Sequence, residues 1–333
     1  IPGAPGHEER VREIVIRELE PLCDSIEVDG IGNVVAMKKG SEGGRFMMSG
    51  HMDEISFMVS YISDKGFLHF VPLGGFDPKT LTAQRVIVHG RKDLLGVMGS
   101  KPIHIMTEED RKKTLKLDDF TIDLGLPADK VKELVRVGDV VTREREIVPM
   151  GDLINGKSFD DRVGVFVMIE GLRAAKSNMM DIYAVGSAQE EIGIRGAMVA
   201  ARNIDPDLGI ALDVTLANDV PFVEAHKHIS KLGEGTAIKA YDGSVVPNWK
   251  LRDRMRELCE ERSIPYQMEV LPMGGTDTAA IQRGGKGAAA GCISVPTRYV
   301  HSVIETVHPD DVDASVRLMA ALIETCRKDD FRL

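Results

Sequence analysis

The stretch from residue 182 to residue 193 ends in two adjacent carboxylates that could do chemistry, Glu190 and Glu191. The run before them is short and apolar and contains Tyr183 and Val185, a pattern typical of a strand buried on both faces. Carboxylates at the end of a buried strand are costly unless a cation or a proton compensates them. In open α/β sheets, ligands also bind at the carboxyl ends of the strands. A single pair of this kind more often lies at a solvated strand end. It indicates a functional site only if the same pattern recurs elsewhere in the chain.

The pattern recurs at several points along the chain. Apolar runs over 45–53, 208–212 and 288–295 end in or lead to His51 with Asp53, Asp213 and His301, and a predicted helix begins at Asp160 and Asp161. We expect these side chains to meet at one edge of a sheet, because random polar residues would scatter over both edges. Two imidazoles with three or more carboxylates suit borderline divalent cations such as zinc, cobalt or manganese. Five ligands exceed one tetrahedral site and suit two metals about 3.5–4 Å apart that share a carboxylate.

Three other motifs compete with this interpretation. Residues 151–158 match the spacing of a phosphate-binding P-loop, but the interior is not glycine-rich, and two acids after Lys157 would repel phosphate. The glycines of 284–287 leave a helix rather than a strand, which disfavours dinucleotide binding. Glu190 and Glu191 could be a glycosidase pair, yet such carboxyls face each other across about 5–9.5 Å, whereas adjacent strand residues point to opposite faces. A joint metal role for the two glutamates has the same difficulty, so we expect the chain to bend at the strand end.

The flanking segments predict the elements that position these residues. Helices are expected over 7–22, from about 160, over 196–202, from Pro247 and over 309–325, because apolar residues recur there at helical spacing. Further strands are expected over 25–28, 31–37 and 266–271, with Asp29-Gly30 as a hairpin turn between the first two. Strands alternating with helices are typical of an α/β fold.

Between residues 54 and 149 the pattern changes to short alternating strands separated by Gly, Asp and Lys. This favours a small antiparallel barrel or sandwich. His69, His89 and His104 are isolated there, and a lone histidine is a weak signal for a ligand. We therefore predict a discontinuous α/β domain, residues 1–53 and 150–333, interrupted by a β domain over 54–149.

Composition sets the outer limits on function. With 333 residues, 43% hydrophobic residues and a net charge of −10, the chain is typical of a globular protein and is a poor candidate for nucleic-acid binding. No apolar run approaches the roughly 20 residues of a membrane span. Four scattered cysteines without framework spacing predict reduced thiols and a cytoplasmic setting. The chain begins Ile1-Pro2-Gly3 without Met, so we expect a short piece to precede it.

Five ordered motifs resemble the M42 family of metallo-aminopeptidases. They are Gly50-His51-Met52-Asp53-Glu54-Ile55, Phe159-Asp160-Asp161-Arg162, Gln189-Glu190-Glu191-Ile192-Gly193, Ala211-Leu212-Asp213 and Tyr299-Val300-His301-Ser302. The resemblance covers nearly the whole chain. The family includes glutamyl, deblocking and tetrahedral aminopeptidases, and some of its members have been labelled endoglucanases.

The resemblance implies a role for each site residue. His51 and Asp213 would hold one metal, Glu191 and His301 the other, and Asp160, favoured over Asp161, would bridge them. Glu190 would be the general base, and Asp53 would orient His51, as carboxylates behind metal-bound histidines do. The implied cofactors are two divalent ions, zinc or cobalt first and manganese next.

The implied fold is a zinc-peptidase-like mixed-sheet α/β catalytic domain with an inserted β-barrel-like dimerisation domain. The implied activity is removal of the N-terminal residue from peptides by a metal-activated water, in a homo-oligomer that is a dimer or a dodecamer. Two alternatives stay open on the residues alone. One is a glycoside hydrolase of the endoglucanase type, and the other is a non-catalytic metal-binding assembly protein. The preferred N-terminal residue stays open as well.

Overall fold

Two β structures, one inserted in the other, organise the chain. A computed structural model describes residues 1–221 and 223–333. The main sheet begins with β1 (Ser25–Val28), β2 (Val34–Lys38) and β3 (Arg45–His51). The inserted barrel consists of β4 (Ser56–Ile62), β5 (Leu68–Leu73), β6 (Arg85–His89), β7 (Asp93–Ser100), β8 (Phe120–Asp123) and β9 (Val140–Arg143). The sheet resumes with β10 (Val148–Met150), β11 (Leu153–Gly156), β12 (Asp181–Ser187), β13 (Leu208–Leu216), β14 (Thr236–Tyr241), β15 (Tyr266–Val270), β16 (Ala289–Arg298) and β17 (Glu305–Val307).

Helices cover the sheet and one side of the barrel. In chain order they are α1 (Glu9–Leu19), α2 (Glu108–Lys112), α3 (Ala128–Leu134), α4 (Phe159–Ala174), α5 (Arg195–Ile204), α6 (Trp249–Arg262), α7 (Thr278–Gln282) and α8 (Pro309–Thr325). No helix in the described part of the chain combines the length and apolar character needed to cross a membrane. The four cysteines, all within that part, are free thiols.

Parallel strands form the centre of the sheet. The order is β1-β2-β12-β3-β13-β16-β17-β11-β10, with β14 and β15 branching from β16. β3 runs parallel to β12 and β13, and β13 runs parallel to β16, so these four strands end at one edge. Alternate side chains of β3 enter two different cores: Phe46 and Met48 pack with α4 and α8, whereas Met47 packs with α5 and α7. Burial on both faces explains why these strands read as continuous apolar runs.

The mixed-sheet α/β prediction with a separate barrel is therefore confirmed. The insertion is a closed barrel rather than a sandwich, and its strands lie between residues 56 and 143. Phe57 anchors its core, stacking on Phe76 and meeting Phe70 edge to face. The short strand β10 starts two residues before position 150 and already belongs to the main sheet.

The predicted two-residue hairpin turn is wrong. β1 and β2 do pair, but residues 29–33 connect them, and β2 begins at Val34 rather than at Ile31. The Asp29 carboxylate accepts hydrogen bonds from the N–H groups of Ile31, Gly32 and Asn33. This side chain holds a longer loop that a dipeptide pattern does not reveal.

A buried ion cluster joins the barrel to the α/β core. Glu54, 1% exposed, lies between β3 and β4 and accepts hydrogen bonds from Lys157 Nζ at 2.6 and 2.7 Å. It also accepts from the Ser158 hydroxyl and the Gly3 N–H, and Arg162 lies 3.3 Å away. Burial alone would raise the pKa of Glu54, but Lys157 and Arg162 lower it to about 2.

We predict that Glu54→Ala lowers the free energy of unfolding by about 3–5 kcal/mol, because it strands the buried Lys157 ammonium without its counter-charge. Urea denaturation measures the change. Glu133→Ala, which breaks the exposed pair with Lys130, is the control and should have little effect. Similar midpoints for the two variants would contradict the structural role of Glu54.

Candidate metal centre

The residues singled out in the sequence lie together at the carboxyl edge of the parallel strands. His51 is the last residue of β3, Asp160 is the second residue of α4, and Glu190 and Glu191 lie in a turn after β12. That turn is closed by hydrogen bonds from the N–H groups of Gly193 and Ile194 to the Glu190 carbonyl. The chain thus bends after the strand, which the sequence required if both glutamates were to serve one site.

Two residues reach the edge differently from the sequence prediction. Asp213 was expected just beyond the end of its strand, but it lies inside β13, which continues to Leu216. His301 lies three residues beyond the end of β16 with φ of +64°. Backbone with positive φ is uncommon outside glycine, and here it accompanies a loop that turns the imidazole toward Asp160.

Asp160 is the geometric centre of the cluster. One of its carboxylate oxygens is 3.1 Å from His51 Nε2, and the other is 3.1 Å from His301 Nε2. His51, Asp160 and Asp213 offer ligand atoms that all lie within 4.8 Å of one another. Asp160, Glu191 and His301 form a second group that meets the same limit. Asp160 belongs to both groups.

The carboxylate of Asp161 is turned away from this centre. It accepts hydrogen bonds from the N–H groups of His51 and Gly164, at 3.0 and 3.1 Å. The peptide bond between Asp160 and Asp161 is cis. The hydrogen bonds give the two neighbouring acids different roles: the Asp161 carboxylate binds backbone N–H groups, and the Asp160 carboxylate faces the two histidines.

Glu190 and Asp53 lie beside the two groups rather than within them. Glu190 Oε2 is 3.9 Å from His51 Nε2, and the side chain lines the cavity next to the cluster. The Asp53 carboxylate accepts the N–H groups of Glu190 and Glu191 at 3.0 and 3.1 Å. His51 Nδ1 is nearer to the Asp53 carbonyl oxygen, at 3.1 Å, than to its carboxylate, at 3.5 Å. Asp53 thus contacts both the histidine and the glutamate turn.

Buried acids crowd this edge, and their pKa values reflect it. Burial, with Asp160 nearby, raises the pKa of Asp213 to about 8. Burial is also the main cause that raises the pKa values of Glu190 and Glu191 well above their usual range. Burial opposes charge on His51 and His301, yet hydrogen bonds to Asp160 raise the pKa values of both. Because burial and mutual repulsion disfavour the charged carboxylates, a nearby cation or a bound proton must compensate them.

Two charged residues that the sequence interpretation missed support the cluster. Glu305 on β17 accepts hydrogen bonds from the N–H groups of Asp160 and His301, so one carboxylate holds two of the candidate ligands. Arg143 on β9 of the barrel, 1% exposed, donates to the His301 carbonyl oxygen. A further acid four residues after His301 was a usable signal for Glu305. Nothing local marks Arg143, because only the fold brings the barrel to this edge.

The donor set fits divalent cations. Two imidazole nitrogens and three carboxylates from separate elements converge, which is the ligand chemistry of zinc, cobalt and manganese. Glu191 Oε1 is buried and lacks a hydrogen-bond partner among the described residues. Buried oxygens rarely stay unpaired without a reason, and a bound cation would supply one here.

The fold and this site together define a peptidase of the hydrolase class. The chain belongs to the M42 aminopeptidase family: the family model described as M42 glutamyl aminopeptidase matches residues 32–318. The family resemblance drawn from the motifs is thereby confirmed.

Similar proteins cover almost the full chain. The lysyl aminopeptidase of Pyrococcus furiosus is 36% identical over 339 residues, covering 99% of this chain and 96% of its own. The structure of an aminopeptidase from the archaeon Desulfurococcus kamchatkensis superimposes with a TM-score of 0.95 at 37% identity, covering 100% of this chain and 94% of its own. The TET1 peptidase of Pyrococcus horikoshii, described as assembling into a tetrahedron or a large octahedral shell, has a TM-score of 0.88 at 32% identity, with 98% and 97% covered. The chain is thus an aminopeptidase by family and by fold.

Proposed function

We propose that this aminopeptidase uses two divalent metal ions to remove the first residue of peptides. The observation that carries the proposal is Asp160, whose two carboxylate oxygens belong to two different groups of ligand-type residues. His51 and Asp213 would hold one ion, Glu191 and His301 would hold the other, and both ions would share Asp160. Zinc or cobalt suits this mixture of imidazole and carboxylate best, with manganese next.

The chain's own residues divide the work around these ions. Bound metals of this kind lower the pKa of a water and polarise a carbonyl oxygen. Glu190 is the general base: it lies beside His51, outside both ligand groups, and takes the water's proton and passes it to the leaving amine. Asp53 holds the Glu190–Glu191 main chain and accepts from His51, so it positions the base and one ligand together.

The family leaves the preferred first residue open. The family description names glutamate, and the name of the Pyrococcus furiosus relative names lysine. The residues alone left a glycoside hydrolase and a non-catalytic metal-binding assembly protein open, and membership of the family favours the peptidase over both. Two tests separate them, one on the general base and one on the metal.

We predict that Glu190→Gln reduces peptide hydrolysis by about 10²–10⁴-fold, because the amide cannot accept the water's proton. Metal content, measured by inductively coupled plasma mass spectrometry, should stay near that of the wild type. His51→Ala is the matched comparison and should lose metal as well as activity. If Glu190→Gln lost its metal too, Glu190 would be a ligand rather than the base.

We predict that chelation abolishes hydrolysis of aminoacyl chromogenic substrates and that added zinc or cobalt restores it. The reason is that chelation removes the metal that would lower the pKa of the attacking water. An N-acetylated peptide of the same sequence should not be cut, because an aminopeptidase acts on a free N-terminus. Activity on cellulose after exhaustive chelation would instead support a glycosidase.

We also propose that the protein is a homo-oligomer built from dimers, with residues 54–149 at the dimer contact and residues 1–53 and 150–333 as the catalytic domain. The assembly of the TET1 relative supports an oligomer. The barrel offers exposed apolar side chains on the outer face of β7, where Leu95 is 58% and Val97 is 49% exposed. Apolar surface of this kind is commonly covered by a second copy related by a two-fold axis.

We predict that Leu95→Glu combined with Val97→Glu reduces the particle mass measured by light scattering, because it places charges in the proposed contact. Both residues are exposed, so the folding free energy of the subunit should change by no more than about 0.5 kcal/mol per site. Val28→Glu, at a position 47% exposed on β1 of the other domain, is the control and should leave the mass unchanged. An unaltered mass in the double variant would place the contact elsewhere.

A further inference from the structure

The cavity beside the candidate ligands has a second, apolar wall. The cavity has a volume of about 520 Å³, and the ligands and Glu190 form one side of it. The rest of the lining consists of two threonines, Thr215 and Thr276, three glycines and six apolar residues: Ile194, Val214, Leu216, Leu271, Met273 and Val300. These apolar residues come from the turn after β12, from β13 itself, from the loop after β16 and from the loop after β15.

This wall carries no charge of its own. Among the described residues that line the cavity there is no lysine or arginine, and the only acids are the candidate ligands and Glu190. Glu269 and Asp242, which bind the hydroxyls of the two threonines in the lining, have other partners as well. Lys239 is fully buried against Glu269, and the equally buried Asp242 accepts hydrogen bonds from Ser244 and from the Val245 N–H.

The wall begins directly beside the ligands. Val214 follows Asp213, Val300 precedes His301, and the Ile194 N–H closes the turn that starts at Glu190. A peptide whose scissile carbonyl lies at the ligands presents the side chain next to that carbonyl to this wall. In an aminopeptidase, the first residue supplies that carbonyl.

We propose that this wall binds the side chain of the substrate's first residue and selects an uncharged apolar one, such as leucine or methionine, over lysine and glutamate. The inference rests on the proposed function, since it takes the ligand cluster as the place of cleavage. A charged side chain held against this wall would lose hydration without gaining a partner from the wall itself. An apolar side chain gains free energy from the same burial.

Aminoacyl-aminomethylcoumarin amides test the preference with the metal-loaded enzyme. We expect kcat/KM for the leucyl and methionyl amides to exceed that for the alanyl, lysyl and glutamyl amides by about 10–100-fold. Leu-Ala should likewise be cut faster than Ala-Leu. Charged first residues that are cut as well as leucine, or a preference that follows the second residue, would overturn the inference while leaving the aminopeptidase intact. If no amide with a free N-terminus were cut, the proposed function itself would fail.

A charge placed in the wall gives a sharper test. Leu271→Glu should lower the leucyl-to-lysyl ratio of kcat/KM by at least tenfold, because it provides a counter-charge for lysine and removes apolar surface. The adjacent Val270→Glu is the matched control: Val270 ends β15, is 57% exposed and does not line the cavity. If Leu271→Glu fails to fold, Met273→Glu serves instead, since Met273 is 78% exposed. An unchanged ratio in the folded variant would refute the assignment of the wall.

Discussion

The crowding of buried carboxylates at one sheet edge is the constraint on which the rest of this structure depends. Several buried or largely buried acids lie close together there, and each raises the cost of charging its neighbours. Backbone N–H groups of the fold compensate part of this negative charge by donating hydrogen bonds to carboxylates. The N–H groups of Glu190, Glu191, Asp160 and His301 all point at carboxylates that lie behind the cluster. These hydrogen bonds fix the main chain, and the Asp160 carboxylate lies between the two imidazoles.

The inserted barrel contributes to this arrangement, although it provides no candidate ligand. Arg143 extends from β9 to the His301 carbonyl, over the ring of Phe76. Its guanidinium also brings a positive charge close to Glu305, Glu191 and Asp160. At the other chain crossing, Glu54 binds Lys157 and Ser158 just before α4. At both places where the chain passes between the domains, a barrel-side residue thus contacts the candidate metal centre or the residues just before it.

Local patterns in the sequence were enough for the architecture and for a group of acids and histidines at one sheet edge, whereas the choice of Asp160 over Asp161 came from the family resemblance. Buried strands read as apolar runs, and ligand-type residues followed them, because both features are set by neighbours in the chain. The prediction lost detail wherever distant residues decide the outcome. A strand partner carries β13 past Asp213 to Leu216, and the Asp29 carboxylate lengthens the loop between β1 and β2. Arg143 contacts the carbonyl oxygen of the distant residue His301, and Glu305 binds the N–H groups of Asp160 and His301. A sequence motif does not reveal such contacts with the main chain.

The position of the barrel within the chain also has a consequence for biosynthesis. β3 leaves the ribosome early, but its sheet partners begin at Asp181 and Leu208. The barrel strands pair only with one another, so the barrel can close while β3 still lacks both neighbours. At about 5–20 residues per second, the nascent chain exposes two unpaired edges of an apolar strand for seconds. His301 is the last of the candidate ligands along the chain, so the full set of ligand-type residues exists only after residue 301 has been made.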